Sequence, residues 1–132
     1  MKEKIKVLFT HSKKQKQKTS KKKLEDLIER EAPDMYEFIC GYGEEEIIKQ
    51  VDKFRPEIIF ISPDKLMDAL GLLKKIKQLH PPAAVFIILT NIVDDEQETI
   101  DEYMVAGAYK CFSSTMVLET LIHDMYVALN LE

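Results

Sequence analysis

Cysteine and glycine are scarce in this chain, with two cysteines and four glycines in 132 residues. Cys40 and Cys111 have neither a CxxC neighbour nor metal-ligand spacing, so they read as small, reduced, buried side chains rather than a disulfide framework or a metal centre. No glycine falls between Thr10 and Ser20, which removes the tight turn that would bring backbone amides against a flavin phosphate. A GxSxG elbow for a serine nucleophile is also missing. The sequence reads as having no leader segment, and it contains no apolar run of membrane-spanning length. The expectation is a soluble, cytoplasmic protein with a single domain over residues 1–132.

Basic charge is sparse outside one tract. Seven of the nineteen Lys and Arg residues fall between Lys13 and Lys23, and the remaining twelve face twenty-three acidic side chains. The net charge of −4 therefore hides a basic loop on an acidic body. The tract KKQKQKTSKKK contains no apolar side chain, and like charges at this density repel, so it reads as a solvated loop. Its leading lysines, Lys13, Lys14, Lys16 and Lys18, are candidates for gripping an anion or a partner. With no aromatic among them for base stacking, nucleic acid is the weaker ligand.

Unbroken apolar runs are what the chain does contain. Residues 56–64, PEIIFISPD, hold Ile58, Ile59, Phe60 and Ile61 between breakers, as expected for a strand buried on both faces of a parallel sheet. Residues 5–10 (IKVLFT) and 84–89 (AVFIIL) have the same character. Residues 35–40 (MYEFIC) alternate enough for an edge strand, with Gly41 and Gly43 making the turn after it, and 108–112 form a short fifth strand.

Helices are expected between and after these strands. The first follows a Thr19 or Ser20 cap and carries Leu24, Leu27 and Ile28; the second carries Ile47, Ile48 and Val51 after the acidic turn Glu44, Glu45 and Glu46. The third spans 66–80 and stops at Pro81-Pro82. A fourth starts near Val93 with six acidic residues and a thin stripe of Ile100, Tyr103 and Met104, and a last helix carries Val117, Leu118, Leu121, Ile122 and Met125. Five strand-then-helix units joined by right-handed crossovers give a parallel α/β sheet covered by helices on both faces.

The opening IKVLF, the segment GEEEIIKQVDKFRPEIIFIS, the LLKKIK before the double proline, the VFIILT strand and the GAYKCF turn together resemble the CheY-like receiver domains of two-component response regulators. The resemblance covers nearly the whole chain. It implies a flavodoxin-like three-layer sandwich with strand order 2-1-3-4-5 and a role in two-component signalling and phosphorelay. It also implies a pocket at the carboxyl edge of the sheet. There the family holds Mg²⁺ with an acidic pair and an aspartate that accepts the phosphoryl group, assisted by a Thr or Ser and a lysine.

Carried over residue by residue, that pocket is degenerate. The acidic pair falls on His11 and Ser12, the phosphoacceptor on Ser62, the hydroxyl residue on Thr90 and the lysine on Ser114; the aromatic often found in strand five falls on Cys111. With no carboxylate among these positions, no metal, cofactor or acyl phosphate is expected. Asp64 is the alternative acceptor, but it requires a slid register across Pro63 and still lacks the acidic pair and the lysine; otherwise it is a loop residue or the cap of the third helix.

The reading that follows is a pseudo-receiver: a non-catalytic signalling or scaffolding module acting through protein partners. It includes a weak homodimer through the fourth helix, fifth strand and last helix, with Asp101, Glu102 and Tyr103 on the contact surface. Two other classes stand beside it. One is an anion- or nucleic-acid-binding module using the Lys13 to Lys23 loop. The other is a cryptic enzyme built on Ser62 and His11, which lacks a third group to orient the imidazole and an oxyanion donor pair. His80 and His123 fall on different helices, so they are not read as metal ligands.

Overall fold

The computed structural model describes residues 5–11, 26, 29–30, 36–61, 68–89, 96–113, 123 and 127–128. Five strands form one parallel sheet: β1 (Ile5–His11), β2 (Tyr36–Tyr42), β3 (Ile58–Ile61), β4 (Ala84–Leu89) and β5 (Lys110–Ser113). Their order is β2-β1-β3-β4-β5, as the resemblance implied. Three helices are described over their lengths, α1 (Glu44–Phe54), α2 (Ala69–Leu79) and α3 (Glu96–Ala106), and they answer to the second, third and fourth helices expected. Asp26, Glu29 and Arg30 are helical, as are His123, Val127 and Ala128, within the first and last helices expected.

Alternation along each strand divides the core in two. On one face Val7, Phe9, Tyr36, Ile58, Phe60, Ala84 and Phe86 pack together, with Ala128 against them. An aromatic row crosses this face: Phe38 to Phe9 at 5.7 Å, Phe9 to Phe60 at 5.2 Å, Phe60 to Phe86 at 5.4 Å and Phe86 to Tyr109 at 5.3 Å between ring centroids. The row follows from the register, which sets Phe9 beside Phe60 and Phe60 beside Phe86. On the other face Leu8, Ile59, Val85 and Ile87 receive Ile47 and Val51 of α1, Leu72, Leu73 and Ile76 of α2, and Tyr103 of α3. Burying a leucine or isoleucine fully contributes about 1.5–3 kcal/mol, so these stripes hold α1 and α2 to the sheet.

Several boundaries depart from the sequence reading. The second strand runs on through Gly41, and the turn is left to Gly43 at φ 88°, a left-handed value that glycine adopts without strain. α2 starts at Ala69 rather than 66, because the Asp68 carboxylate accepts a 3.0 Å hydrogen bond from the Gly71 amide and caps the helix there. The fifth strand begins at Lys110 rather than 108, since Ala108 is still tied to the Tyr103 carbonyl. Cys40 and Cys111 are half-buried rather than buried, both free, on strands at opposite edges of the sheet.

Candidate functional site

The carboxyl edge of the sheet is where a doubly wound fold binds its ligands. β1 and β3 end nearly level, with Thr10 opposite Ile61, and β3 meets β4 with Ile61 opposite Ile87. Of the residues assigned to the degenerate pocket, His11 is the last of β1 and pairs with Tyr42 of β2. Ser12, Ser62, Thr90 and Ser114 each follow a strand end directly in sequence, and they lie outside the described residues, as do Asp64 and the lysines Lys13, Lys14, Lys16 and Lys18.

Beneath that edge the described residues are tied in ways the sequence reading missed. Thr10 is fully buried, and its hydroxyl donates a 3.0 Å hydrogen bond to the Phe60 carbonyl, joining β1 to β3 one residue short of the strand ends. A threonine closing an otherwise apolar strand was the available signal. Asp68 brings the start of α2 to the same edge, and a methyl group at Gly71 would sit 2.4 Å from its carboxylate oxygen, so a larger residue there requires the capping carboxylate to shift.

Tyr103 is a correction. It was expected both in the thin apolar stripe of the fourth helix and on a contact surface with Asp101 and Glu102; it is only 8 % exposed and packs into the core, so the stripe holds it and the contact surface does not. The small Cys111 side chain on β5 lies beside the same cluster. Burial raises the Tyr103 phenol above its ordinary pKa, and the Cys111 thiol and the carboxylates of Asp68 and Glu102 push it the same way. Asp101 and Glu102 are exposed as expected. Met104, assigned to the buried stripe, is instead 43 % exposed, and Val105 is 89 % exposed.

Two open grooves flank α2. One of 710 Å³ lies between α1 and α2, with Ile48 and Leu79 as its apolar part and the ion pair of Lys75 with Glu44 at its rim. The Glu44 carboxylate, by hydrogen bond and charge, raises the Lys75 pKa. The other, of 430 Å³, lies between α2 and α3, where Leu70, Lys74, Asp101, Glu102 and Val105 meet. Among the described residues no three His, Cys, Asp or Glu side chains gather as metal ligands, and no helix is long and apolar enough to cross a membrane.

This layout was compared with known proteins. A two-component response regulator from Clostridium difficile superposes with a TM-score of 0.77 at 21% identity, covering 96% of this chain and 97% of its own. The fold is that of the response-regulator receiver domains. A response regulator from Thermotoga maritima matches with a TM-score of 0.78 at 14% identity over 96% of this chain and 98% of its own. A third, from Burkholderia pseudomallei, solved with a phosphorylated aspartic acid, a calcium ion and citrate, matches with a TM-score of 0.73 at 15% identity over 96% of this chain and 70% of its own. No family model matches the sequence, and no curated protein does. The receiver fold is thus shared while side-chain identity is low.

Proposed function

We propose that this chain is a receiver-like signalling or scaffolding module that cannot be phosphorylated and acts in the cytoplasm by binding protein partners, without catalysis of its own. One observation carries the reading: the residue that follows Ile61 at the end of β3 is Ser62, where the resemblance calls for an aspartate. The Burkholderia neighbour holds a phosphorylated aspartic acid and a calcium ion. Here the positions that carry that chemistry in the family are His11, Ser12, Ser62, Thr90 and Ser114. A serine hydroxyl, which stays protonated at neutral pH, is a far poorer acceptor than an ionised carboxylate beside a metal, and without carboxylate oxygens there is little to hold a hard divalent cation.

The deciding experiment is incubation with acetyl phosphate and Mg²⁺ followed by intact-mass spectrometry and thermal unfolding. The expected result is no added phosphoryl mass and no Mg²⁺-dependent shift in Tm. A stoichiometric, acid-labile phosphate on Asp64 would overturn the proposal, because it would make Asp64 the acceptor in a working pocket.

A further inference from the structure

At the amino edge of the sheet, opposite the degenerate pocket, His80 ends α2 as its C-cap and is only 9 % exposed. Its Nε2 lies 2.9 Å from the Pro56 carbonyl, in the link between α1 and β3. A carbonyl oxygen only accepts, so the ring must carry its proton on Nε2 and donate there. Nδ1 is then a bare lone pair, and it is buried with no hydrogen-bond partner among the described residues.

Cations hold the backbone carbonyls on either side of His80 in sequence. Arg55 reaches the Leu79 carbonyl at 3.4 Å, and the Lys77 ammonium donates to the carbonyls of Pro81 at 2.7 Å and Ala83 at 2.9 Å. The His80 carbonyl itself accepts from the Ala83 amide at 3.2 Å. A second N–H at Nδ1 would start without a partner among the described residues, and it would add a positive charge beside Arg55 and Lys77, opposed among the described residues by Glu57.

We propose that His80 is a proton-operated clasp, closed while its ring is neutral and released by protonation at Nδ1, which fastens the end of α2 to the link between α1 and β3. A proton taken from solvent at Nδ1 creates a buried, charged donor without a partner, which the closed arrangement disfavours. The least expensive relief is for the ring to swing out, giving up the Pro56 carbonyl. The neighbouring residue, Leu79, lines the 710 Å³ groove between α1 and α2, so release at His80 loosens that groove from its lower end.

The direction of titration agrees: burial first, then the Arg55 charge, hold the imidazole below its usual pKa. Because the folded form resists the proton, the clasp contributes its full stability above the unfolded value of about 6.5 and loses it as the pH falls from there toward the folded value.

Residue-resolved NMR of the histidine rings between pH 8 and 5 tests this, run on the wild type and on His80→Gln, which keeps an N–H donor but cannot gain a proton. The expected result is an Nε2–H tautomer for His80 at pH 7.5 and a titration midpoint below the free-imidazole value of about 6.5. In the same window the Ala83 and Glu57 amides should exchange faster on acidification, relative to the β3 amides, in the wild type but not in His80→Gln. A ring protonated on Nδ1 at pH 7.5, or a His80 midpoint at or above about 6.5, would overturn the clasp. Both readings come from the wild type, so they stand even where His80→Gln fails to fold.

Discussion

Thr10 and Phe60 are joined by a 3.0 Å hydrogen bond from the threonine hydroxyl to the backbone carbonyl, at a point in the sheet that water does not reach. The bond makes the ends of β1 and β3 a single rigid edge. Replacing Thr10 by valine keeps the side-chain shape and removes the donor, so unfolding in urea should lose about 1 kcal/mol. Thr10→Ser keeps the donor and gives up one methyl group, for a loss of about the same size from packing alone. If Thr10→Val unfolds at the wild-type urea concentration, the bond contributes nothing and the edge is held by the apolar rows.

Asp68 and Gly71 form a coupled pair. An alanine at 71 would normally strengthen a helix interior by about 1 kcal/mol, yet here its methyl group must displace the carboxylate that caps α2. Gly71→Ala is therefore expected to be neutral or destabilising in the wild type. In an Asp68→Ala background, already weakened by about 1 kcal/mol through loss of the cap, it should be stabilising. A double-mutant cycle that closes additively would place the cap elsewhere.

Much of the architecture was legible because apolar runs are hard to misread. Ile58 to Ile61 and the strand from Ala84 are buried on both faces, and no other element accommodates them so well. The errors fall where one residue of offset reverses the reading. Tyr103 and Met104 are neighbours on a helix with few apolar residues, so a thin stripe did not fix which of them faces inward, and packing against the small Cys111 and Ala108 decided for Tyr103. The start of α2 was read too early since Leu66 and Met67 extend the apolar pattern, while the Asp-x-x-Gly signal of the true cap went unused. The assignment of His11, Ser12, Ser62, Thr90 and Ser114 to the pocket comes from the resemblance and the sequence alone, since of these only His11 lies among the described residues.

Alkaline pH should loosen the β5 edge. Burial pushes the Cys111 thiol up to about 11 from 9.0, and burial likewise raises the Tyr103 phenol. Both groups are held neutral in the fold, so the unfolded chain loses its protons first. Stability is then fully present below about pH 9 and falls as the pH climbs toward the folded values. Thermal unfolding between pH 8 and 11 should show this decline, and Cys111→Ala should remove part of it. Thiol alkylation at pH 8 should modify Cys111 much faster in urea than in the folded protein, and with the two cysteines on opposite edge strands no intramolecular disulfide should form. Equal alkylation rates in both states would contradict the burial of this thiol.

The outer face of α3 is open to a partner. Asp101 and Glu102 are exposed, Val105 is 89 % exposed, and the groove toward α2 sets Leu70 and Lys74 beside them. An apolar side chain ringed by carboxylates suits a contact that is modest in area and sensitive to salt, as exposed charges are screened within about 10 Å at 0.1 M salt. A weak self-association through α3, β5 and the last helix should therefore appear in sedimentation at high micromolar concentration and strengthen as salt screens the like charges of the two copies. Reversing charge with Asp101→Lys and Glu102→Lys should shift the dissociation constant several-fold, about 1 kcal/mol for the pair, without altering Tm beyond a degree or two. Tyr103→Ala separates surface from core: as a buried aromatic its removal should cost about 3–5 kcal/mol of folding stability, so its effect on association follows from unfolding, whereas that of Asp101 and Glu102 does not. A strict monomer at every concentration and salt would leave α3 without a role in self-association, and the same charge-reversed variant would then be used against candidate protein partners.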